Sequence, residues 1–326
     1  MKPTPKPQFS KPFAKPLAGP IAKPPAKTAP AAPKPAAKPT HWNEVADWYD
    51  QLVGQEGSDY QQNVIFPGIQ QLLGLFELGR KDTRPRILDL ACGQGALCRK
   101  LATLRCRVVG VDAAPALIEA AQRRETKDAL GITYLTADAT KLPLNDPTNS
   151  GTGVPPVESN VGVSPAVLTD PLTPASFDAI TIVLAIQNMQ PLSPIWRSCH
   201  TLLKPNGSLI LVMMHPCFRI PQRSDWHWDP AKNQQSRLIA QYLTSTSLDI
   251  QTHPGLAAHG KSDASTTHLH RPLQAYVNTL GSAGLLIDHI DEWPSHKKSQ
   301  PGPRQEELDR SRREIPMFLA MRAKRV

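Results

Sequence analysis

The feature that most constrains the fold is a regular alternation of short apolar segments with amphipathic ones. Apolar segments such as "PRILDLA" and "RVVGVDA" are rich in leucine and β-branched residues and have the length of buried strands. The segments that follow such strands, including "ALCRKLATLR" and "SPIWRSCHTLL", carry apolar residues at helical spacing. Because successive strands joined by helices run parallel, the pattern predicts a mostly parallel sheet with helices on both faces.

The end of the chain departs from this alternation. The last two apolar segments, "LLIDHIDEWP" and "IPMFLAMRAKR", have no helical pattern between them. We therefore expect the final strand to pair antiparallel. The predicted fold class is α/β, a doubly wound and mostly parallel sheet of seven strands with an antiparallel last strand.

Domain organisation follows from composition. Residues 1–40 contain twelve prolines, eight lysines and no acid, which predicts a disordered arm rich in polyproline II. Residues 41–326 are expected to form one domain, with a helical cap at 41–80. Residues 146–175 are rich in Pro, Gly, Ser and Thr and predict a disordered surface insertion. Residues 215–259 contain aromatic, proline and histidine residues that fit neither a sheet nor a regular helix well, and residues 260–270 resemble a polar link.

The positive charge is concentrated in the arm. Of the formal net charge of +9, residues 1–40 supply the eight lysines, so the remaining chain is close to neutral. The basic pI of 9.4 is therefore weak evidence for a nucleic-acid-binding fold. We expect nucleic-acid contact, if any, only through the arm, whose alternative role is that of a solubilising tail.

The cellular compartment is suggested by what the sequence lacks. The five cysteines contain no C-x-x-C pair, which favours a reducing compartment. No apolar run approaches the roughly 20 residues of a membrane span, and the N-terminus lacks the apolar core of a signal peptide. We expect a soluble cytoplasmic protein with no membrane partner, and the sequence leaves its oligomeric state open.

The segment "ILDLACGQGALCRKL" passes from a strand through Gly93 and Gly95 into a helix. Such turns bind nucleotides or nucleosides because glycine lets a ligand approach the backbone. A dinucleotide fingerprint requires a third glycine three residues after Gly95, where this chain has Cys98. A P-loop requires G-K-[ST], which the sequence does not contain. Both phosphate-binding interpretations are therefore excluded.

Three acidic residues follow the ends of successive predicted strands: Asp89, Asp112 and Asp138. A carboxylate at the position of Asp112 can accept hydrogen bonds from two ribose hydroxyls, and one at Asp138 can meet an adenine amino group. Three acids without a phosphate-binding motif suit a positively charged nucleoside. S-adenosylmethionine (SAM), with its sulfonium, is the candidate.

With these motifs the sequence resembles class I SAM-dependent methyltransferases, in the broad group that includes ubiquinone and menaquinone biosynthesis methyltransferases. The resemblance covers about residues 82–216 and, more loosely, 272–325. It implies a Rossmann-like fold, an enzyme and SAM as cofactor. The segments that resemble family motifs, in order, are "ILDLACGQG", "VVGVDAAPALIEAA", "YLTADATKLPL", "SFDAITIVLAIQNM" and "LKPNGSLILVMMHP".

The resemblance also implies a set of cofactor contacts. Gly93 and Gly95 would let the backbone approach the methionine moiety, and Asp89 would brace the loop or bind its amino group. Asp112 would bind the ribose, and Asp138 would contact the adenine. The remaining implied residues are Ala91, where the family often has glycine, Ala113, Ala139, and Leu184 and Gln187, which would flank the reacting methyl group.

The acceptor pocket is expected to come from the cap and from residues 215–275. Methyl transfer from a sulfonium is an in-line displacement, so the enzyme mainly aligns the reactants and excludes water. Tyr49, in "WYD", resembles the lid tyrosine of related methyltransferases, although helix packing also explains it. His215 directly follows the fifth strand and is the candidate base or acceptor-orienting group; alternatively, local backbone satisfies it. Trp226 and Trp228 form either an aromatic wall or a hydrophobic seal.

The expected reaction is methyl transfer from SAM to a small-molecule acceptor, at oxygen or carbon. The alternatives are an RNA methyltransferase that uses the basic arm, and a SAM-binding protein without catalytic activity. No metal is expected, because the histidines of the pocket region lack zinc-site spacing. Those histidines are His253, His259, His268 and His270.

Overall fold

The structure is a computed structural model that describes residues 42–43, 45–74, 84–142, 171–251 and 265–326. Several predictions fall outside this part of the chain. They concern the arm at 1–40, the end of the cap at 75–80, most of the insertion at 146–175 and residues 252–264 of the pocket region.

The helices of the described residues begin with two in the cap region, separated by a π-helical turn at Gln61–Ile65. The other helices follow the strands, except that a 3₁₀ turn, Ile186–Asn188, comes after the fourth strand. The α-helices are α1 (Ala46–Val53), α2 (Phe66–Leu72), α3 (Ala96–Thr103), α4 (Pro115–Asp128), α5 (Leu192–Leu202), α6 (Leu273–Ser282) and α7 (Gln305–Glu314).

The strands form one large sheet and two hairpins. In chain order they are β1 (Arg86–Leu90), β2 (Arg107–Asp112), β3 (Thr133–Thr136), β4 (Phe177–Val183), β5 (Leu203–Met214), β6 (Ser224–Asp229), β7 (Gln234–Ile239), β8 (Thr246–Gln251), β9 (Ser265–His270), β10 (Leu285–Trp293) and β11 (Phe318–Arg325).

The large sheet has seven strands in the order β10-β11-β5-β4-β1-β2-β3. Strands β1 to β5 pair in parallel, whereas β11 pairs antiparallel with both β5 and β10. The predicted mostly parallel sheet with an antiparallel last strand is therefore confirmed. The chain order reverses at β1, which lies between β2 and β4, so the crevice at the carboxyl ends of these strands is the expected ligand position.

Apolar side chains cover both faces of the sheet, because alternate residues of each strand point to opposite sides. One face packs against α5 and α6, which supply the fully buried Trp196 and Tyr276. The other packs against α2, α3 and α4, with Ile69, Leu101 and Ile118 in its core. Helices on both faces make the sheet doubly wound, as predicted.

Helix α7 corrects one prediction, since no helix was expected between the last two strands. Its sequence, "QEELDRSRRE", lacks the apolar periodicity on which the prediction relied. Ion pairing on the surface of the helix supports it instead, through Glu307 and Arg310 at 2.7 Å. The segment Gln305–Glu314 is therefore helical although it lacks an apolar stripe.

The region 215–275 is also more regular than expected. Strands β6 and β7 form one antiparallel hairpin, and β8 and β9 form a second. The segment 260–270, which resembled a polar link, ends in strand β9. These strands were missed because "SDWHWD" and "STTHLH" contain mostly polar side chains and only short apolar stretches. Among the described residues, no helix combines the length and apolar character that a bilayer span requires.

Candidate active site

The turn after β1 has left-handed backbone at three alternate residues. The φ angles are 63° at Ala91, 57° at Gly93 and 80° at Gly95. Glycine adopts this region without a steric cost, whereas a side chain disfavours it. The positive φ at Ala91 is therefore a conformation that glycine would adopt more readily than alanine. The alternation curls the turn over the carboxyl end of β1.

Asp112 joins the end of β2 to this turn. Its Oδ2 accepts the backbone N–H of Gly93 at 2.8 Å, and its Oδ1 accepts that of Ala114 at 2.9 Å. Burial raises the pKa of the carboxyl, while the N–H groups of Ala114, Gly93 and Ala113 oppose that rise. Since each carboxylate oxygen can accept a second hydrogen bond, Asp112 is able to receive two ligand hydroxyls.

Asp89 lies beneath the turn and is 3% exposed. Thr181 on β4 donates its hydroxyl to Oδ1 at 2.7 Å, and the thiol of Cys98 on α3 donates to Oδ2 at 3.3 Å. Burial raises the pKa of Asp89 to about 6, against the hydrogen bond from Thr181. These contacts link β1, β4 and α3 through one carboxylate, a geometry that suits a brace for the turn.

Tyr49 of α1 lies over Gly93. A Cβ atom at position 93 would come within 3.2 Å of Cε1 of Tyr49, so the ring uses the space that the glycine leaves. Burial raises the pKa of Tyr49 above its usual value, and the charges of Asp112 and Asp89 raise it further. The edge of Trp42 contacts the Tyr49 ring with centroids 5.4 Å apart. The cap thus places an aromatic ring directly at the turn.

Two residues that sequence reasoning missed fasten the cap to the turn. Gln94, which is 1% exposed, donates from Nε2 to the carbonyl of Gly54 at 2.8 Å and accepts the N–H of Ala96 at 3.0 Å. Arg99 donates to the carbonyl of Gln94 at 2.8 Å and also to that of Gln55. We call Gln94 and Arg99 the cap clamp. The only sequence signal for it was an arginine on the apolar face of α3.

Further contacts connect the cap with α4. Both carboxylate oxygens of Asp50 accept from Nη2 of Arg124, at 2.6 and 2.8 Å. The side chain of Asn43 accepts the backbone N–H of Ala116 at 3.0 Å, in the first turn of α4. The cap is therefore attached to two helices that flank the turn, which fixes Tyr49 over Gly93.

Gly95 and Gly110 both lie against the ring of Tyr134. A Cβ atom at Gly95 would collide with the phenol of Tyr134 from β3, and a Cβ at Gly110 of β2 would come within 2.7 Å of the same ring. Tyr134 is buried, and its hydroxyl has no hydrogen-bond partner among the described residues. Both glycines are therefore required by the packing of Tyr134 beside the turn.

The expected adenine-contacting residues follow β3. Asp138 is exposed, and its Oδ1 accepts the N–H and the hydroxyl of Thr140, both at 2.8 Å. Ala139 is buried at 7% exposure. The N–H of Ala137 bonds to the carbonyl of Asp112 at 2.9 Å, so this segment runs beside the end of β2. Asp138 thus lies at the same sheet edge as Asp112.

The residues after β4 are held by β5. Leu184 has a φ of 54° and donates its N–H to the carbonyl of Val212 at 2.8 Å. Gln187 is 4% exposed, and its amide pairs with the main chain of Met214, accepting at 3.0 Å and donating at 3.2 Å. The amide of Gln187 therefore continues the pairing between β4 and β5 beyond the end of the strand.

His215 lies where expected, directly after β5, but both of its ring nitrogens have partners. Nε2 lies 2.7 Å from Oε1 of Glu292, and Nδ1 accepts the N–H of Cys217 at 3.2 Å. Because Nδ1 accepts, Nε2 carries the proton and donates to Glu292. Burial lowers the pKa of His215, although Glu292 opposes the shift. The ring is 2% exposed and packs against Phe218.

The other histidines of this region do not form a metal site in the described part of the chain, where no cluster of three or more suitable ligands is found. His270 bonds through Nε2 to the carbonyl of Tyr242 at 2.7 Å. His268 is buried, and its pKa is lowered to about 4 by burial, by His270 and by Arg271. His253 and His259 lie outside the described residues.

The sequence was compared with family models and curated proteins. Two family models, each described as a methyltransferase domain, match residues 87–150 and 156–211. A ubiquinone biosynthesis O-methyltransferase of Xanthomonas campestris pv. campestris is 26% identical over 126 residues, which are 39% of this chain and 41% of that protein. Its counterpart in Xanthomonas euvesicatoria pv. vesicatoria is 25% identical over the same length. The chain thus spans about two-fifths of the length of these curated relatives.

Solved structures show the same fold. An S-adenosylmethionine-dependent methyltransferase from Mesorhizobium loti matches with a TM-score of 0.53 at 24% identity, covering 80% of this chain and 100% of that one. A structure described as an S-adenosylmethionine-dependent methyltransferase from Listeria monocytogenes has a TM-score of 0.50 at 20% identity, covering 79% of this chain and 99% of that one. Two methyltransferase-domain models thus match neighbouring parts of this chain, and its mostly parallel seven-stranded sheet has the Rossmann-like fold of these solved structures.

Proposed function

We propose that this chain transfers a methyl group from SAM to a small-molecule acceptor. The observation that carries the proposal is the pairing of Asp112 with the glycine turn, which leaves both carboxylate oxygens able to accept ligand hydroxyls. The methyltransferase-domain matches support the reaction class. The matched curated relatives are named O-methyltransferases, so oxygen is the favoured acceptor atom.

The residues of the turn fit the proposed cofactor. Gly93 and Ala91 have left-handed backbone at the carboxyl end of β1, where the methionine moiety would lie. Asp112 would bind the two ribose hydroxyls, and Asp138 with Ala139 would contact the adenine at the neighbouring strand end. Asp89, which is 3% exposed and whose carboxylate bonds to Thr181 and Cys98, would keep the turn in shape.

The proposed chemistry places few demands on the protein. Bound SAM supplies a methyl group that its sulfonium already activates for displacement. The protein would position the acceptor in line with that methyl and exclude water. Tyr49 would cover the site from the cap, and Leu184 with Gln187 would form its floor beside β5.

For His215 we propose a positioning role. Its Nε2–H is donated to Glu292 and its Nδ1 is occupied, so the ring has no free lone pair for an acceptor proton. It would keep the segment after β5 in place through Cys217 and Glu292. Exchange of His215 for Gln should then alter acceptor KM more than the affinity for S-adenosylhomocysteine.

The experiment incubates the full chain with methyl-labelled SAM and separate pools of small metabolites and RNA. Label in a small metabolite, with matching release of S-adenosylhomocysteine, is the expected result. Label in RNA that disappears when residues 1–40 are deleted would instead favour the RNA-directed alternative. Saturable SAM binding without product in any pool would indicate a binding protein without catalysis.

A further inference from the structure

The tryptophan-bearing face of the β6–β7 hairpin carries two arginine side chains. The guanidinium carbons of Arg219 and Arg237 each lie 5.2 Å from the centre of the Trp226 ring. Arg237 faces Trp226 across the hairpin, and Arg219 belongs to the segment that leads into it. Two positive charges therefore share one aromatic ring, an arrangement that cation–π attraction favours and mutual repulsion opposes.

These two guanidinium groups form no ion pair with any carboxylate in the described residues. Burial and the charge of Arg237 lower the pKa of Arg219 to about 10. A partly buried cation without a counter-ion is energetically costly, and an anion placed beside it would offset that cost. The hydrogen bonds of the pair go only to uncharged oxygens, those of Ile315, Pro316, Phe218 and Ser224.

Among the described residues, neighbouring groups offset this positive charge only in part. Asp225, the acid whose charge acts on Arg237, is exposed, and its Oδ1 accepts the N–H of Trp226 at 2.7 Å. Arg223, at the start of the same hairpin, has a buried guanidinium nitrogen, Nη1, with no hydrogen-bond partner among the described residues. At Trp226 itself, Nη1 of Arg219 and Nη1 of Arg237 form no hydrogen bond within the described residues, so the surroundings of this ring contain unused donors and excess positive charge.

This pair lies on the acceptor side of the proposed active site. The N–H of Arg219 bonds to the carbonyl of His215 at 2.8 Å, one helical turn beyond the end of β5. Its guanidinium bonds to residues 315 and 316, which directly precede β11. Arg219 also lies close enough to Tyr60 of the cap for the two groups to interact electrostatically. These elements meet at the same sheet edge as the glycine turn.

We propose that Arg219 and Arg237, beside Trp226, bind an oxyanion group, a carboxylate or a phosphate, carried by the methyl acceptor. Guanidinium groups bind both oxyanions through paired N–H donors, and the Trp226 ring would contact the adjoining apolar part of the molecule. The inference rests on the proposed methyl transfer for the identity of the occupant. The site itself depends only on the arginine pair.

The site is tested by titrating the full chain calorimetrically with benzoate, phenyl phosphate and the neutral analogue benzamide, without SAM. We expect saturable binding of at least one of the two anions and at least about tenfold weaker binding of benzamide. Arg237→Gln should weaken anion binding about tenfold or more. Arg219→Lys keeps the positive charge but loses the paired N–H donors of the guanidinium, so it should weaken anion binding less than Arg237→Gln. Lys232→Gln removes one exposed positive charge from the same hairpin and serves as the control.

Equal affinity for benzamide and both anions, or no saturable binding of either anion, would overturn the site. An equal loss in Lys232→Gln and Arg237→Gln would also overturn it, because the effect would then be one of net charge. Circular dichroism and the melting temperature of each variant show whether it remains folded; if Arg237→Gln unfolds, Arg219→Lys and the benzamide comparison still decide.

A second measurement separates this inference from the methyl transfer itself. With any acceptor found by labelling, Arg237→Gln should raise acceptor KM about tenfold without changing the affinity for S-adenosylhomocysteine. An unchanged acceptor KM would show that the anion is not part of the acceptor. Anion binding in the absence of all methyl transfer would support the site and contradict the proposed function.

Discussion

The carboxylate of Asp112 and the backbone N–H of Gly93 form a 2.8 Å hydrogen bond that joins the end of β2 to the turn after β1. The bond connects two neighbouring parallel strands at the point where the chain order reverses. It therefore shapes the turn and, in the proposed function, also prepares the ribose contact.

Exchange of Asp112 for Asn should weaken S-adenosylhomocysteine binding. The amide replaces one acceptor oxygen by a donor, which then faces the N–H of Gly93 or Ala114. Since hydrogen bonds to charged groups contribute about 1.5–3 kcal/mol each, we expect roughly 10- to 100-fold weaker binding by calorimetry. Affinity equal to that of the unaltered chain would contradict the proposed ribose contact.

Exchange of Gly93 for Ala should destabilise the domain and impair cofactor binding. The added Cβ would sit 3.2 Å from Tyr49, on backbone with a φ of 57°. The backbone strain alone costs about 1–2 kcal/mol. Gly74→Ala is the matched control, because its φ is 65° and a Cβ there meets nothing within 4 Å. Urea unfolding should show a larger loss at position 93; equal losses would mean that the Tyr49 contact is unimportant.

Exchange of Arg99 for Lys should loosen the cap. Lysine cannot bond at once to the carbonyls of Gln94 and Gln55, so amide hydrogen exchange across α1 should accelerate in the absence of any ligand. Lys100→Gln, an exposed neighbour on α3, should leave that exchange unchanged. Protection of α1 that is identical in both variants would show that the clamp does not hold the cap.

Asp89 should make stability depend on pH. Its folded pKa of about 6 lies above the unfolded value of roughly 3.9, so the folded state binds the proton more tightly. The free energy of unfolding should therefore fall as pH rises from about 4 to about 6, by about 2–3 kcal/mol. Asp89→Asn lacks this group, so its stability relative to the unaltered chain should improve over the same range.

A second variant checks the cause of that shift. Thr181 donates a hydrogen bond that lowers the pKa of Asp89, so Thr181→Val should move the transition to higher pH. Denaturant unfolding at several pH values measures both effects. A stability difference between Asp89→Asn and the unaltered chain that does not vary with pH would refute the assignment.

Removal of the Tyr134 hydroxyl should cost little or even stabilise the fold. The hydroxyl is buried without a partner among the described residues, so Tyr134→Phe removes a desolvated polar group while keeping the ring. We expect a gain of up to about 1 kcal/mol. Tyr134→Ala should instead lose about 3–5 kcal/mol through the cavity it creates. A large loss in the Phe variant would reveal a partner for the hydroxyl.

The sheet could be predicted because its strands contain continuous apolar segments, as in "LILV" of β5. Hairpins β6–β7 and β8–β9 could not, since Trp226 and Trp228 alternate with Asp225 and His227, and their polar partners gave no strand signal. Helix α7 was missed for the same reason. The apolar pattern of a sequence predicts helices and strands that are buried in the core. Helices and strands at the surface depend on contacts with distant residues, which the sequence pattern does not predict.

For the site, local motifs identified the positions of Gly93 and Asp112 at the carboxyl edge. They could not identify contacts between distant segments, such as Gln94 with Gly54 or Gly95 with Tyr134. The partners of His215, above all Glu292, are likewise far away in sequence. Such residues come together because whole helices and strands pack against each other. The spacing of residues within one motif does not predict that packing.

The amide of Gln187, paired with the main chain of Met214, has a consequence for how proteins with this arrangement could diversify. Its two hydrogen bonds hold the segment after β4 against the end of β5 and restrain the distance between them. Adaptation to a new acceptor would then be left to the cap and the hairpins, which can be exchanged without disturbing the sheet. Acceptor selectivity would then change through substitutions in the cap and the hairpins, while the segment after β4 keeps its structure.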